Sequence, residues 1–351
     1  MKHNFGAGPC ILPQEVFEQA AAAVLDFNGL SILEVSHRHK DFVAVMDEAL
    51  DLVKKALNVP AGYSVAYLQG GATLGFTIAA LNMQRANKKA GYINTGTWAS
   101  GAIKEAKKVG LQVDVFASSE DKQFSYIPKN YTISDDLDFV HFTSNNTIYG
   151  TQFKEIPHTK HPLVCDMSSD IFSKEIDVAA YDLIYAGAQK NLGPAGATLY
   201  IVKDDALGKS SADFMPTYLD LKQHVEKESM LNTPPVFSVY VAMLNLRHLI
   251  ANGGVQAQEQ KNKNAKHNIE VNGNCDMCKK RIEKAAFSVK GVKSADWHLD
   301  DHILYLIINE EKCSVTEVKQ AIIKVGHDAE DLKATNEDYD KLHGCCRYER
   351  K

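Results

Sequence analysis

Helix-like and strand-like segments alternate from the N-terminus to about Val255, and this alternation restricts the fold more than any other property of the chain. Apolar residues recur at helical spacing in PQEVFEQAAAAVLDF and FVAVMDEALDLVKKAL. Short segments rich in Val, Ile and Tyr have the pattern of buried strands: YSVAYLQ, AGYIN, LQVDVFA, DFVHFTS, PLVCDMSS, YDLIYAGAQ and ATLYIVK. This alternation predicts an α/β fold with a mainly parallel sheet covered by helices.

The polar residues of this region cluster where the predicted strands end. QGGATLGF follows a strand and opens a helix, so the backbone N–H groups of Ala72 and Thr73 are available to a phosphate. Asp166 ends one strand and Lys190 follows another, and Trp98 lies in NTGTWASG. Each of these features alone is compatible with an ordinary turn or a solvated loop charge. Because ligands bind beyond the carboxyl ends of parallel strands, we predict that these residues form one site.

The combination fits pyridoxal phosphate chemistry. A lysine amine forms a Schiff base with the cofactor aldehyde. A carboxylate facing the pyridine nitrogen keeps the ring protonated, so that the ring accepts electrons from the substrate carbanion. An aromatic side chain stacks on the ring, and a helix N-terminus holds the phosphate. The predicted site contains one group for each of these tasks.

Longer motifs resemble the phosphoserine aminotransferase family, whose members are fold-type I pyridoxal phosphate enzymes of serine biosynthesis. The resemblance covers residues 1–255 and rests on NFGAGPCILP, SHR, GGATLGF, NTGTW, NNTIYG, DMSSD, YAGAQKNLGPAG and NTPPVFSVY. It implies amino transfer between O-phospho-L-serine and 2-oxoglutarate, which yields 3-phosphohydroxypyruvate and L-glutamate. Residues 1–255 would then form the large domain of such an enzyme.

The resemblance also implies roles for the residues that match its motifs. Lys190 corresponds to the Schiff-base lysine, which also moves the proton between the substrate Cα and the cofactor C4′. Asp166 pairs with the pyridine nitrogen, and Trp98 stacks on the ring. Thr147 of NNTIYG hydrogen-bonds the 3′-hydroxyl of the cofactor. The implied phosphate ligands are Ala72, Thr73, Gln189 and, from the other subunit, Asn232 and Thr233.

Substrate contacts and assembly follow from the same motifs. His37 and Arg38 match SHR, whose arginine contacts the acidic end of the substrate. Because Asn232 and Thr233 reach the partner's phosphate, a complete site implies a homodimer.

The sequence departs from this family in two ways. Many relatives have an arginine at the position of Thr73. Beyond Val255, the family continues with a Gly-His-Arg motif for the substrate phosphate and an Arg-Ala-Ser-like motif for the α-carboxylate, and this sequence contains neither. The later arginines, Arg281, Arg347 and Arg350, lie in other contexts. Because lysine does not replace a bidentate arginine clamp, we expect cofactor binding to be preserved better than turnover.

A second pattern begins near residue 266, after a polar stretch at 256–265 that predicts a flexible linker. It has the order strand, helix, strand, strand, helix, strand, with its first five elements in HNIEVNG, CKKRIEKAAFSV, SADWHL, HILYLIIN and VTEVKQAIIKV. The βαββαβ order predicts a ferredoxin-like domain at 266–334. Residues 335–351 form a tail that contains Cys and His.

Cys275 and Cys278 have CxxC spacing where the first helix of this domain begins. The pair resembles the metal site of heavy-metal-associated domains, as found in copper chaperones and metal-transporting ATPases. We expect the helix N-terminus and the adjacent Lys279, Lys280 and Arg281 to lower the pKa of both thiols. Two-coordinate thiolate sites suit Cu(I), with Zn(II), Cd(II) and Hg(II) as alternatives.

The sequence allows other roles for the cysteines of residues 266–351. A thioredoxin-like redox role for CxxC would need a different fold around it. The tail residues His343, Cys345 and Cys346 either complete a site of higher coordination or are incidental. Cys313 is expected to be a packed thiol.

Charge and hydropathy exclude several other classes of function. The net charge of −5 is spread along the chain, with no basic stripe for nucleic acid. No apolar segment approaches the ~18 residues that span a bilayer, and the N-terminus lacks the apolar core of a signal peptide. We therefore expect a cytoplasmic protein.

Two hypotheses about function follow. The chain is a phosphoserine aminotransferase with an added metal module, or it is a soft-metal-binding protein on a catalytically impaired aminotransferase scaffold. The sequence is also compatible with a joining of two neighbouring genes.

Overall fold

A computed structural model describes residues 6–262 and 264–350 of the chain. The chain divides into two compact units, Met1–Gln258 and Glu259–Lys351. Within the described residues, no helix is long and apolar enough to cross a membrane.

The first unit contains helices on both sides of one large sheet. Its helices are α1 (Gln14–Leu25), α2 (Lys40–Ala56), α3 (Ala72–Met83), α4 (Thr97–Lys108), α5 (Leu221–Glu226) and α6 (Val236–Ala251), and α7 (Gly254–Asn262) extends past its limit at Gln258. Its strands are β1 (Tyr63–Gly70), β2 (Lys89–Asn94), β3 (Gln112–Ser118), β4 (Phe139–Thr143), β7 (Leu163–Asp166), β8 (Leu183–Gly187) and β9 (Gly196–Lys203), with a small hairpin of β5 (Asn145–Asn146) and β6 (Thr151–Gln152).

The large sheet is mixed but mainly parallel, as the sequence predicts. Its strand order is β1-β9-β8-β7-β4-β2-β3. Strand β9 pairs antiparallel with both of its neighbours, whereas the other pairs in the sheet are parallel. Consequently β1, β2, β4, β7 and β8 all end at the same edge of the sheet.

Alternate residues of the strands enter two separate cores, because successive side chains in a strand point to opposite faces. In β1, Val65 and Tyr67 belong to the core covered by α1, α2 and α6. Ala66 and Leu68 belong to the core covered by α3, α4 and α5. Near-continuous apolar strands are expected where both faces of a sheet are buried.

The second unit has a three-stranded antiparallel sheet and two main helices. Its elements are β10 (Asn264–Glu270), α8 (Asp276–Phe287), β11 (Val292–Trp297), β12 (Ile303–Asn309), α9 (Val315–Ile323) and α10 (Asn336–Asp340). The strand order is β10-β12-β11, and the fully buried Trp297 lies in the core. The last predicted strand is reduced to isolated bridges, in which Ala329 pairs with Val271 and with Leu332.

The segment predicted as a flexible linker has regular structure instead. Helix α7 extends to Asn262 and strand β10 begins at Asn264, so most of residues 256–265 are helical or extended. Lys263 lies outside the described residues. Gln, Lys and Ala are good helix formers, and a composition that suggests flexibility is therefore equally compatible with a helix.

Candidate functional site

A cavity of about 190 Å³ lies at the carboxyl edge of the large sheet. Its walls come from the segments that follow β1, β2, β4, β7 and β8, since these strands end at the same edge. The residues lining it are Gly71, Ala72, Thr73, Phe76, Trp98, Thr143, Asn145, Asp166, Ser168, Ser169, Gln189 and Lys190. Six residues predicted from the sequence to form a cofactor site are among them: Ala72, Thr73, Trp98, Asp166, Gln189 and Lys190.

The N-terminus of α3 forms one corner of this cavity. The N-cap residue Gly71 makes no side-chain cap, so the first amides of the helix are available to a ligand. A Cβ atom at Gly187 would lie 3.2 Å from the amide nitrogen of Ala72 and 2.8 Å from Gln189 Oε1. Glycine at position 187 therefore leaves this corner open, and the geometry suits a phosphate.

Lys190 meets two of the other predicted residues. Its Nζ atom donates a hydrogen bond to Thr147 Oγ1 at 2.9 Å and lies 5.4 Å from the centroid of the Trp98 ring. Trp98 Nε1 donates to the same hydroxyl at 3.4 Å. Thr147 thus links the lysine to the aromatic ring, although it does not line the cavity.

The N-terminal segment passes beside Lys190, a contact that sequence reasoning missed. A Cβ atom at Gly8 would lie 2.7 Å from Lys190 Cδ. The Cys10 amide donates to the Gln189 carbonyl at 3.2 Å. The motif GAGPC resembles a family pattern, but nothing in its own residues indicates that they pack against the lysine.

Asp166 is buried and held by a neighbouring serine. Its Oδ1 atom accepts hydrogen bonds from the Ser168 hydroxyl at 2.6 Å and the Ser168 amide at 2.9 Å. The Gly187 amide donates to the same hydroxyl at 3.0 Å. Burial raises the pKa of Asp166 to about 6, although the bonds from Ser168 oppose this shift. Sequence reasoning missed Ser168, whose signal is a serine two residues after a carboxylate at a strand end, a pattern typical of Asx turns.

The residues present fit pyridoxal phosphate. The cavity combines a lysine amine, a buried carboxylate, an indole ring and a helix N-terminus. In addition, the buried Thr143 Oγ1 atom in its wall has no hydrogen-bond partner among the described residues. An unpaired buried hydroxyl costs free energy unless a ligand satisfies it, so this atom supports a polar ligand in the cavity.

Besides Thr147, four residues predicted to bind cofactor or substrate do not line the cavity: His37, Arg38, Asn232 and Thr233. His37 is buried, whereas Arg38 is exposed. The Asn232 side chain donates to the carbonyl of Thr233 at 3.3 Å. The assignment of His37 and Arg38 to the substrate stays a prediction, as does the assignment of Asn232 and Thr233 to the cofactor phosphate in the partner subunit.

The raised pKa of Asp166 predicts a pH-dependent stability of the cofactor-free protein. A carboxyl group whose pKa rises from 3.8 to about 6 on folding favours its protonated form. The stability it contributes is complete below pH 3.8 and is lost as the pH rises through about 6, at a cost of about 3 kcal/mol. Asp166→Asn should remove this component, which urea unfolding of both proteins at pH 4 to 8 would measure. An unchanged pH dependence in the variant would contradict the assignment.

Three cysteine sulfurs lie close together in the second unit. The Sγ atom of Cys275 is 3.6 Å from that of Cys278 and 3.7 Å from that of Cys346, and all three lie within 4.8 Å of one another. The Asn274 amide donates to Cys278 Sγ at 3.4 Å. A Cβ atom at Gly273 would lie 2.9 Å from Cys278 Cβ, so glycine allows the loop to pack against this cysteine.

The two CxxC thiols differ in acidity, which corrects the expectation that both pKa values are lowered. The Cys278 amide hydrogen-bonds the Cys275 sulfur and lowers the pKa of Cys275 to about 7. Burial raises the pKa of Cys278 to about 12. Lys279 is engaged by Asp296 at 2.5 Å and Glu283 at 2.8 Å, so its charge is compensated by carboxylates.

Cys313 is buried in the core of the second unit, as predicted for a packed thiol. The tail cysteines differ from each other, because Cys346 is buried whereas Cys345 is exposed.

The family model described as aminotransferase class-V matches residues 2–314 of the chain. This match extends beyond the limit near Val255 that the motifs suggested. A phosphoserine aminotransferase of Flavobacterium psychrophilum is 56% identical over 271 residues, which cover 76% of this chain and 75% of that protein. The same enzyme of Parabacteroides distasonis is 56% identical over 262 residues, with 74% and 73% covered.

Among solved structures, the chain is also similar to phosphoserine aminotransferases. The phosphoserine aminotransferase of Bacillus circulans subsp. alkalophilus superimposes with a TM-score of 0.70 at 34% identity, covering 91% of this chain and 96% of that one. The pyridoxal phosphate-bound phosphoserine aminotransferase of Trichomonas vaginalis superimposes with a TM-score of 0.72 at 29% identity, covering 84% and 79%.

Proposed function

Because the chain belongs to the class-V aminotransferases, and within them to the phosphoserine aminotransferase family, we propose that it transfers an amino group between O-phospho-L-serine and 2-oxoglutarate. It is a pyridoxal phosphate-dependent transaminase. The proposal rests on one observation: a single cavity is lined by Lys190, Asp166, Trp98 and the N-terminus of α3.

Pyridoxal phosphate, when bound, supplies an aldehyde that takes up the amino group and a ring that accepts electrons. Lys190 Nζ would accept the proton that leaves the substrate Cα and would deliver it to C4′ of the cofactor. In the cofactor-free chain, its hydrogen bond to Thr147 Oγ1 holds Nζ beside the Trp98 ring. Asp166 would supply the negative charge for the pyridine nitrogen, and the hydrogen bond from the Ser168 hydroxyl fixes the orientation of that carboxylate.

The cofactor phosphate would bind in the corner of the cavity at the N-terminus of α3. The amides of Ala72 and Thr73 and the side chain of Gln189 would hold the cofactor phosphate, and the positive end of the helix dipole favours its charge. The indole of Trp98 would stack on the ring. His37 and Arg38 would contact the acidic end of the substrate, a role that the SHR motif supports.

We further propose that the active protein is a cytoplasmic homodimer in which Asn232 and Thr233 act on the partner's phosphate. Neither residue lines the cavity of its own chain. A complementation experiment tests this arrangement: Lys190→Ala and the double variant Asn232→Ala with Thr233→Ala are each impaired, and mixing them should restore activity. In a mixed dimer, one site receives an intact lysine and an intact Asn-Thr pair. Absence of recovery after subunit exchange would contradict it.

Steady-state turnover tests the proposed reaction itself. Purified protein with pyridoxal phosphate and 2-oxoglutarate should form glutamate from O-phospho-L-serine much faster than from L-serine, since only the former offers a phosphate. Retention of the cofactor without any turnover of phosphoserine would reject the proposal and would favour the impaired scaffold.

A second candidate function is soft-metal binding by the second unit, and the three clustered sulfurs favour it. The strand order β10-β12-β11, with a bridge from Val271 to Ala329 beside β10, is compatible with the ferredoxin-like arrangement that the sequence predicts. We propose that Cys275 and Cys278 bind Cu(I), because thiolates select soft ions. Anaerobic titration should give one Cu(I) per chain, and unchanged binding after Cys275→Ser with Cys278→Ser would refute this function.

A further inference from the structure

The C-terminal tail is folded into the second unit and holds one cysteine against the CxxC loop. Cys346 is completely buried, and two neighbouring residues of the tail, Leu342 and Tyr348, are also buried in the core of this unit. At these positions the tail is packed into the core of the unit and is not solvated. The tail therefore has a defined path, on which Cys346 is a fixed point.

Polar contacts anchor the tail after Cys346. The Asp328 amide donates to the Tyr348 hydroxyl at 2.6 Å. Arg350 donates to the two carboxylate oxygens of Asp328 at 2.8 and 3.1 Å, and Asp328 is fully buried. A buried, bidentate ion pair is costly to leave incomplete, so it fixes the end of the chain in this position.

A further hydrogen bond joins the tail to the CxxC loop directly. The Asn274 side chain donates to the Arg347 carbonyl at 2.9 Å. Asn274 precedes Cys275, and Arg347 follows Cys346, so this bond lies next to both cysteines. It holds the loop and the tail at the separation that the sulfur atoms require.

The sulfur distances argue against a linear two-sulfur site. With metal–sulfur bonds of about 2.3 Å, two sulfurs of a linear site lie about 4.6 Å apart, whereas those of a trigonal site lie about 4.0 Å apart. The observed separations from Cys275 are 3.6 Å to Cys278 and 3.7 Å to Cys346. A linear site would require the CxxC pair to open by about 1 Å, whereas a trigonal site, or a tetrahedral site with sulfurs about 3.8 Å apart, requires only small shifts. The coordination number therefore rests on the number of sulfurs that lie within 4.8 Å of one another, which is three.

We propose that Cys346 supplies the third thiolate of a soft-metal site whose other ligands are Cys275 and Cys278, and that this site binds Cu(I) in three-coordinate geometry. The inference rests on the proposed metal function and adds the tail to it. Binding exchanges the thiol protons of the three ligands for one Cu(I) ion, with no change in the oxidation state of metal or sulfur. The tail thereby adds a third thiolate ligand to the two thiolates of the CxxC pair.

Cys345 is the natural alternative ligand, and its environment argues against it. Its side chain is exposed, and its sulfur accepts or donates a hydrogen bond with His343 Nδ1 at 3.2 Å. Its sulfur lies 4.0 Å from that of Cys275 but is not part of the group in which all sulfurs lie within 4.8 Å. Structural Zn(II) sites are almost always four-coordinate, so a three-sulfur set favours Cu(I) over Zn(II).

The two adjacent tail cysteines provide a matched pair of variants. Full-length protein is reduced, freed of metal and titrated anaerobically with Cu(I) against a chromophoric chelator. Cys346→Ser should weaken Cu(I) affinity at least about 10- to 100-fold, the loss that even outer-shell partners of a metal produce. Cys345→Ser should leave the affinity within about twofold, because this thiol is not a ligand. Equal losses in the two variants would overturn the three-thiolate assignment.

X-ray absorption of the Cu(I)-loaded protein adds a measurement that does not depend on whether a variant folds. The unmodified chain should show three sulfur neighbours around copper, and Cys346→Ser should show two. Two sulfurs in the unmodified chain would overturn the role of Cys346 while leaving the proposed metal function intact. Failure of the unmodified chain to bind Cu(I) would instead reject the metal function itself, so the two failures are distinguishable.

Discussion

Replacing Lys190 with alanine should reduce phosphoserine transamination at least about 10⁴-fold, because the variant loses both the amine that holds the cofactor covalently and the base that moves the Cα proton. In the native site, this amine is oriented by Thr147 and lies over the Trp98 ring. The measurement is the single-turnover rate with saturating cofactor and phosphoserine. Noncovalent cofactor binding should persist, because the phosphate corner at α3 is unchanged.

Two controls make this prediction specific. Lys222→Ala removes an exposed lysine whose partner is Glu226 and should leave the rate unchanged. A small exogenous amine should partly restore proton transfer in Lys190→Ala, because it replaces the missing base. Activity of Lys190→Ala within about tenfold of the unmodified enzyme would contradict the assigned role.

Replacing Arg350 with alanine should destabilise the second unit by about 3 to 5 kcal/mol, because the variant leaves the buried Asp328 carboxylate without its bidentate partner. Lys333 lies 4.0 Å from this carboxylate but is half exposed, and it compensates only in part. Urea unfolding followed by Trp297 fluorescence in a Trp98→Phe background measures the effect, since the chain has only these two tryptophans.

Arg347→Ala is the matched control for this change. Arg347 lies three residues earlier in the same tail and donates to two backbone carbonyls, those of Leu342 and Asp340. Its loss should cost about 1 kcal/mol, as expected for an ordinary hydrogen-bonded side chain. Similar effects of the two substitutions would show that the Asp328–Arg350 pair does not anchor the tail. Cu(I) affinity should fall with Arg350→Ala, because Cys346 loses its fixed position.

The pattern of the sequence was sufficient to predict the large sheet. Seven apolar segments became seven strands, because strands buried on both faces need nearly continuous apolar residues. The site followed from this arrangement, since Asp166 and the loops leading to Ala72 and Lys190 all begin at the ends of parallel strands. A local pattern and a topological rule together place these residues close to one another.

Other parts of the site depend on contacts that local patterns do not encode. Gly8 packs against Lys190 across a long stretch of sequence. The unpaired hydroxyl of Thr143 is apparent only once the walls of the cavity are known. The role of Ser168 had a local signal, but that signal is shared by many turns.

The tail shows a similar limit. Cys345 and Cys346 are adjacent, and the sequence does not indicate which of the two thiols is buried. The positions of Tyr348 and Arg350 in the folded unit decide that Cys346 is buried. The polar composition of residues 256–265 suggested a flexible segment, yet the same residue types form helix α7. Composition reports which side chains prefer water, and it does not determine whether their backbone is ordered.

The most direct test of the account is to identify the lysine to which pyridoxal phosphate becomes attached. The cofactor-loaded chain is reduced with borohydride, which fixes the cofactor to the lysine that has condensed with its aldehyde, and the peptides are mapped by mass spectrometry. We expect one pyridoxyl group per chain, on Lys190, and its loss when phosphoserine is added before reduction. A label on another lysine, or no label while the cofactor remains bound, would contradict the assignment of this cavity as the transaminase site.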